Sequence, residues 1–169
     1  IETLCAQLMQ NFSRNQVNIL KEYANKIPVI IIARLLGVPE EMSDQLLRWS
    51  HDMVMMYQAR RTVKHEERAI KASKEFSAFM RSYVEERRNK PKDDLITHLI
   101  STEENGEKLT ADELITTCIL LLNAGHEATV HSLGNGIKLL LENKKIAIDW
   151  QSDIKISQLI EEILRFDPP

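Results

Sequence analysis

One stretch, between Thr110 and about Asn143, constrains the fold of this chain more than any other. It begins with Thr110-Ala-Asp-Glu113, the pattern of a capping box, in which a threonine hydroxyl and a glutamate carboxylate satisfy free amide groups at the start of a helix. It ends at Asn143, which is followed by two lysines. The roughly 32 residues between these signals predict a helix about 48 Å long. Since this is two to three times the usual length, we expect it to be the central element of the fold.

The middle of this helix changes character abruptly. Residues Cys118 to Leu122 are apolar on every side, as in a helix surrounded by protein. The following turns contain polar groups and three of the chain's five glycines: Asn123, Gly125, His126, Glu127, Thr129, His131, Ser132, Gly134, Asn135 and Gly136. Each glycine costs a helix about 1 kcal/mol relative to alanine, and a buried carboxylate is costly unless it is paired, hydrated or useful. This polar, glycine-containing segment, which interrupts the apolar character of the helix, therefore predicts a functional site or the close approach of another group to the backbone.

The residues alone leave three interpretations of this break open. The first is an ordinary core helix, whose small residues allow close packing and whose polar groups find partners nearby. The second is a zinc site at His126, Glu127 and His131, but the two histidines lie about 140° apart around the axis, which disfavours a shared ion. The third is a resemblance. Ala124-Gly-His-Glu-Ala-Thr129 resembles the central-helix signature A-G-x-(D/E)-T-(T/S) of the cytochrome P450 family, the haem-thiolate monooxygenases.

The rest of the chain also predicts helices. Only five glycines and five prolines interrupt it, and apolar residues recur with a helical period between them. We predict helices at 1–12, 17–36 with a kink or a restart at Pro28, 43–59, 63–89, 93–100 with Asp93 as its cap, 146–151 and 157–166, with a stop at Gly37 and a polar turn at 103–106. No segment shows a convincing strand pattern. The predicted fold class is all-α.

The resemblance to the P450 family extends beyond the central helix. Leu35-Leu-Gly-Val-Pro39 is similar to the end of the family's second long helix, and Trp49 with the methionines after it falls where the substrate-roofing helices begin. Glu162-Ile-Leu-Arg165 is similar to the E-x-x-R element of soluble bacterial members. The resemblance therefore covers 1–169 as a partial P450 domain, well under half of a typical member. The family's cysteine loop is expected beyond Pro169.

The resemblance implies a haem-dependent monooxygenase that inserts one oxygen atom from O2 into an apolar organic substrate. Electrons would come from NAD(P)H through a ferredoxin or flavodoxin-type partner and its reductase, and the cofactor would be haem b held by a cysteine thiolate. Neither Cys5 nor Cys118 lies in a glycine-rich loop, so we expect no metal ligand, and no haem binding of the family's kind, from these residues alone. The alternative is a non-enzymatic, all-helical ligand-binding or regulatory protein with a hydrophobic pocket.

The resemblance also assigns roles to individual residues. The catalytic proton relay would use Glu127 and Thr129, and the cofactor would lie against Ala124, Gly125 and Ala128. The substrate would face Leu120, Asn123, Met53 and Met56. An ion pair of Glu162 and Arg165 would brace the fold. The family usually has threonine where this chain has Ala128, and Thr129 lies about 100° further round the helix. We therefore expect proton delivery to depend on Glu127 and ordered water, with a hydroxyl group of the substrate itself as a further contributor.

Composition argues against other classes of protein. A net charge of −3 gives no electrostatic case for binding nucleic acid or an anionic membrane. No stretch approaches 18 uninterrupted apolar residues, and no signal peptide is recognised, although the chain begins at Ile1 and an upstream segment could precede it. We interpret Cys5 and Cys118 as reduced, buried thiols, and residues 60–74 as a solvated charged face. The expected location is cytoplasmic.

Overall fold

Helices form nearly all the regular structure in the computed structural model, which describes residues 1–12, 16–104, 107–143 and 152–169. They are α1 (Glu2–Gln10), α2 (Lys26–Leu36), α3 (Ser43–Val54), α4 (Val63–Asn89), α5 (Leu95–Ser101), α6 (Ala111–Glu142) and α7 (Asp153–Phe166). The only strands in these ranges are β1 (Glu103–Glu104) and β2 (Glu107–Lys108), an antiparallel pair of two residues each. The predicted all-α class is confirmed, and strands this short carry no detectable alternating pattern.

The central helix α6 begins and ends at the predicted signals. The Thr110 amide donates to Glu113 Oε2 at 2.8 Å, and the Glu113 amide donates to Thr110 Oγ1 at 3.2 Å, which completes the capping box. These bonds hold the pKa of Glu113 below its ordinary value. At the other end the Asn143 side chain donates to the Leu139 carbonyl at 2.9 Å. None of the helices that the structure describes is both long enough and apolar enough to cross a membrane.

The second predicted helix restarts near Pro28, which is one of the two alternatives predicted for this proline. Residues Leu20–Ala24 form a π-helical turn, in which the Asn25 amide donates to the Leu20 carbonyl at 2.9 Å. The α-helix α2 then begins at Lys26. Pro28 therefore lies in its first turn, where a missing N–H group is tolerated.

The cap of α5 is a correction to the sequence prediction. Asp94, not Asp93, is the N-cap, because its Oδ1 accepts a hydrogen bond from the Thr97 amide at 2.9 Å. Asp93 is exposed. The carboxylate that caps the helix is thus the one that the surrounding structure buries.

Two other boundaries differ from the prediction. The helix α3 ends at Val54 rather than at residue 59, because the chain tightens into a 3₁₀ turn at Met55–Tyr57. The helix α7 begins at Asp153 rather than at residue 157, because the Ser152 hydroxyl accepts a hydrogen bond from the Lys155 amide and caps it earlier. The helix predicted at 146–151 lies outside the described residues.

The chain divides into two compact units, one formed by residues 29–125 and the other by residues 1–28 and 126–169. The first unit has a continuous apolar core. Its buried members are Val29, Ala33, Leu36, Val38, Leu46, Trp49, Ala72, Phe76, Met80, Tyr83, Val84, Ile96, Leu114, Ile115, Cys118 and Leu122. Trp49 stacks on Phe76 with 5.1 Å between ring centroids, and its indole N–H donates to Glu75 at 3.0 Å. The buried indole therefore has its polar group satisfied.

A buried polar cluster joins α2, α4 and α5 within the same unit. Arg87 is almost fully buried, and its Nε donates to Asp94 Oδ2 at 2.6 Å. The guanidinium also donates to the Gly37 carbonyl at 3.0 Å and to the Tyr83 hydroxyl, which itself donates to the Gly37 carbonyl. Gly37 ends α2 with φ of +79°, and a Cβ added there would overlap the Asp94 side chain. The turn after α2 therefore requires glycine for both its conformation and its space.

The second unit packs aliphatic side chains against two glycines of α6. A Cβ at Gly134 would lie 2.6 Å from Leu20, and one at Gly136 would lie 3.2 Å from Ile163 of α7. The Asn135 side chain donates to the Asp167 carbonyl at 3.2 Å, which ties the end of α7 to α6. The glycines here allow close helix packing, as the first of the three interpretations predicts.

Candidate functional site

The signature segment of α6 presents a small, uncovered apolar face. Ala124 and Ala128 are both exposed, and their spacing of four residues places them about 40° apart on the helix. Leu120 lies one turn earlier on the same side, with 62% of its surface exposed, and Leu121 is also exposed. A helix face with only methyl groups over one turn can lie flat against a planar molecule.

Gly125 faces in another direction. A Cβ at this position would lie 3.0 Å from Ile32 Cδ1 of α2, which is closer than ordinary packing allows. The close approach predicted for this glycine is therefore made by Ile32 among the described residues. Its place against a cofactor, which the resemblance implies, stays a prediction.

The carboxylate of Glu127 lies between two histidines of different exposure. Its Oε2 is 3.4 Å from His131 Nε2, and its Oε1 is 3.9 Å from His126 Nδ1. His126 is fully buried, whereas the His131 side chain is 59% exposed. The different exposures agree with the predicted angle of about 140° between the two histidines. Glu127, itself 26% exposed, connects a buried polar group to a surface one.

Thr129 lies at a different place from the other predicted site residues. It lines a cavity of about 290 Å³ between α6 and α7, together with Ser132, Leu133, Gly136, Ile137, Leu140, Ile160, Ile163 and Leu164. One turn on, the Ser132 hydroxyl donates to the Ala128 carbonyl at 2.8 Å. This is the i−4 bond that a serine or threonine makes in a helix.

A cavity of about 560 Å³ brings together three of the four predicted substrate residues, Met53, Met56 and Asn123. The fourth, Leu120, is not among the residues that line it. The cavity is also lined by Tyr57 and by residues of α4 that the sequence analysis assigned to a solvated face: Glu66, Ala69, Ile70, Ser73 and Lys74. Their spacing of three to four residues is that of one helix stripe, and this signal could have identified them.

The amide of Asn123 is the polar group at the α6 side of this cavity. Its Oδ1 is buried, and no residue in the described ranges donates a hydrogen bond to it. A buried acceptor without a donor is rare in native proteins and calls for an explanation. Asn123 is preceded in α6 by the apolar run from Cys118 to Leu122.

The predicted brace is present as an ion pair within α7. Arg165 Nε and Nη2 donate to the two oxygens of Glu162 at 2.7 and 2.6 Å. Both side chains are more than half exposed. The pair holds the pKa of Glu162 below its ordinary value. The geometry of the predicted pair is therefore observed, whereas its bracing role stays a prediction.

The two cysteines have different environments. Cys118 is buried in α6, and burial raises the pKa of its thiol to about 11. It is therefore a protonated thiol near neutral pH rather than a thiolate ligand. Cys5 is partly buried in α1, and the nearby Tyr23 has its pKa raised to about 12 by burial and by a hydrogen bond with Cys5. The interpretation of Cys118 as a reduced, buried thiol fits the structure.

Comparison with known proteins tests the resemblance that the sequence suggested. A family model described as Cytochrome P450 matches residues 31–157, which is most of the chain. The chain belongs to the cytochrome P450 family. The matched range includes all of α6.

Bacterial P450s resemble the chain over its full length. The polyketide biosynthesis cytochrome P450 PksS of Bacillus subtilis is 36% identical over 171 residues, covering all of this chain and 41% of PksS. The steroid C26-monooxygenase of Mycobacterium tuberculosis is 33% identical, again over all of this chain and 43% of the relative. The solved structure of P450BioI with an acyl carrier protein carrying hexadec-9Z-enoic acid has a TM-score of 0.87 and 28% identity, covering 98% of this chain and 42% of that one. The chain thus spans about two fifths of the length of these P450s.

P450 proteins hold a haem, and the residues of this chain fit one side of it. The exposed methyl groups of Ala124 and Ala128 leave room for a flat macrocycle against α6. Cys118 does not fit the role of iron ligand, because its side chain is buried in the apolar core of the 29–125 unit. The residues present therefore fit a surface that covers the haem rather than one that coordinates its iron.

Proposed function

We propose that the whole protein is a haem-dependent monooxygenase, which inserts one oxygen atom from O2 into an apolar organic substrate. The observation that carries the proposal is the exposed face of Ala124 and Ala128 beside the carboxylate of Glu127, on a helix that the P450 family model matches. Bound haem b would supply the activation of O2. Electrons would come from NAD(P)H through a ferredoxin or flavodoxin-type partner and its reductase. We also keep the prediction of a cytoplasmic location.

In this proposal the chain's own residues position the substrate and move protons. Ala124 and Ala128 leave the space in which the cofactor lies. Glu127 holds a proton at one carboxylate oxygen, and the 3.4 Å contact with the exposed His131 gives it a route of exchange with solvent. Met53 and Met56 give the cavity a flexible apolar wall that adapts to ligand shape.

The substrate class is proposed from the cavity and from the relatives. Its volume of about 560 Å³ lies within the usual range for small-molecule sites. The names of the similar proteins mention polyketide biosynthesis, a steroid and a fatty acid on a carrier protein. These names are compatible with a largely apolar substrate.

The experiment that tests the proposal is a difference spectrum of the intact protein, reduced and exposed to carbon monoxide. A thiolate-type Soret band, together with product formation that depends on NAD(P)H and redox partners, would support it. Saturable binding of apolar ligands without such a band would instead support the non-enzymatic ligand-binding alternative. The 169 residues alone should give no thiolate-type band, because Cys118 is buried in an apolar core and Cys5 lies in a helix.

A further inference from the structure

Glu127 and His131 lie one turn apart in the interior of α6. Four residues separate them, so their side chains diverge by about 40° around the helix axis and share one side of it. The Glu127 Oε2 atom lies 3.4 Å from His131 Nε2. Because the backbone of a long helix fixes both Cα positions, a carboxylate oxygen and an imidazole nitrogen are held close together before any ligand binds.

The distance between these two atoms matches the span of a tetrahedral metal site. Zinc binds imidazole nitrogen at about 2.0–2.1 Å and carboxylate oxygen at about 2.0–2.2 Å, with tetrahedral angles between its ligands. Two such ligands of one ion are therefore about 3.4 Å apart, which is the distance observed between Glu127 and His131. An ordinary N–H···O hydrogen bond is shorter, at about 2.7–3.2 Å. The spacing of the pair therefore suits an ion held between the two atoms.

The pair is accessible to a dissolved ion. The His131 side chain is 59% exposed, and it lines a cavity of about 300 Å³ whose wall also contains Leu20, Val130 and Lys138. This cavity has space for the water molecules that complete the coordination of an ion with two protein ligands. The Lys138 ammonium belongs to a residue about 10 Å further along the helix axis, a distance at which physiological salt screens most of its repulsion.

We propose that Glu127 and His131 form a binding site for one divalent transition-metal ion, of which Zn²⁺ is the best match. Imidazole nitrogen and carboxylate oxygen are both zinc ligands, whereas Mg²⁺ takes oxygen ligands. His126 is not a ligand of this ion, because it is fully buried and lies about 140° from His131 around the axis. Its Nδ1 is 3.9 Å from the other carboxylate oxygen, Oε1, and Oε2 therefore remains on the side of His131.

Zinc at this site should inhibit the proposed monooxygenase, a consequence that rests on the proposed function. The ion would occupy the carboxylate oxygen that contacts His131, and Glu127 could then no longer exchange a proton there. The binding site itself needs only the two side chains. Zinc that binds through them without lowering product formation would support the site and refute the proton relay through Glu127.

The experiment titrates ZnCl2, and separately MgCl2, into the intact, haem-loaded protein by isothermal titration calorimetry. We expect the wild-type protein to bind one Zn²⁺ that both Glu127→Gln and His131→Gln bind at least about tenfold more weakly. Losing a group that only supports a metal ligand already costs about 10–100-fold in affinity, and losing one of two protein ligands should cost no less. Magnesium should give no comparable binding.

The matched control is His98→Gln. His98 Nε2 is 3.5 Å from Asp93 Oδ1, which offers the same two kinds of ligand atom. Asp93, however, precedes the N-cap Asp94, so no helix fixes it relative to His98, and this variant should keep the wild-type affinity for Zn²⁺. The Soret band and the helical circular dichroism of each variant report whether it is folded.

The exposed His131 decides the outcome if Glu127→Gln loses its haem. The proposal is overturned if a folded His131→Gln binds Zn²⁺ as tightly as the wild-type protein does. It is also overturned if His98→Gln weakens Zn²⁺ binding as much as His131→Gln, or if the wild-type protein binds Mg²⁺ and Zn²⁺ equally.

Discussion

Replacing Asp94 by asparagine tests the buried polar cluster of the 29–125 unit. Asp94 uses both of its oxygens: Oδ2 accepts from Arg87 at 2.6 Å, and Oδ1 accepts from the Thr97 amide at 2.9 Å. Asparagine has only one acceptor oxygen. It can cap α5 or bind Arg87, but its NH2 group must then face the other donor. The substitution also leaves the almost fully buried Arg87 guanidinium without its carboxylate.

The expected cost follows from these contacts. Breaking a buried ion pair by removing one partner typically costs about 3–5 kcal/mol. Arg87 keeps the Gly37 carbonyl at 3.0 Å and the half-exposed Glu86 at 3.1 Å as acceptors, so the lower end, about 3 kcal/mol, applies. Asparagine caps helices nearly as well as aspartate, and the loss therefore reports mainly on the buried charge.

Hydrogen–deuterium exchange of the intact protein, resolved by mass spectrometry, measures this cost locally. A loss of about 3 kcal/mol in opening free energy speeds exchange of the protected α5 amides roughly a hundredfold. Asp93→Asn is the matched control, because Asp93 is adjacent, exposed and only 3.5 Å from the exposed His98; it should change nothing measurable. Unchanged exchange in Asp94→Asn, or equal acceleration in both variants, would refute the assignment of Asp94 as cap and charge partner.

The same carboxylate predicts how stability depends on pH. Burial pushes the pKa of Asp94 up, but the hydrogen bonds from Arg87 and Thr97 outweigh it and hold the pKa below the ordinary value of 3.8. A group whose pKa is lower in the folded state stabilises the fold fully above its unfolded pKa. Its contribution should therefore be constant near neutral pH and decline as the pH falls below about 3.8, towards the lower folded pKa. In Asp94→Asn this part of the acid dependence should disappear from pH-dependent exchange.

Three further predictions concern other parts of the chain. Gly37→Ala should cost about 2 kcal/mol or more in thermal or urea unfolding, because φ is +79° and the new Cβ overlaps the cap of α5; a neutral effect would show that the turn can rearrange. Ala128→Thr should lower hydrogen peroxide release per NAD(P)H with substrates that lack a hydroxyl group, whereas Thr129→Ala should be mild. Large peroxide release from Thr129→Ala, with no effect of Ala128→Thr, would instead show that the Thr129 hydroxyl takes part in proton delivery. Arg165→Ala should abolish haem incorporation or soluble expression of the intact protein, because the resemblance predicts that the pair with Glu162 braces the fold. A folded, haem-loaded variant that is merely slow would contradict this bracing role.

Local signals were enough to predict the long helices. The capping box at Thr110 and Glu113 placed the start of α6 correctly, because both partners lie within one turn and need nothing from the rest of the fold. The bounds of α4, Val63 and Asn89, were also predicted correctly. Where a boundary is determined by residues next to it in sequence, pattern and capping chemistry suffice.

Tertiary contacts decided what the sequence analysis missed. Asp93 and Asp94 are equivalent as sequence signals for a cap, and the choice between them is made by Arg87, which lies on another helix. In the same way, the charged residues of α4 read as a solvated face, yet Glu66 and Lys74 line the main cavity. A charged helix face can be both solvated and part of a cavity rim, and only its neighbours in space distinguish the two.

The three interpretations of the central helix describe different faces of it, and this explains why the residues alone could not separate them. Gly125 faces Ile32 and serves close helix packing, as the ordinary core reading required. Ala124 and Ala128 are exposed, and the proposed cofactor would lie against them. Since neighbouring positions in a helix differ by about 100°, a six-residue signature covers the whole circumference. Its residues therefore serve different purposes, and each must be assigned from the direction that it faces.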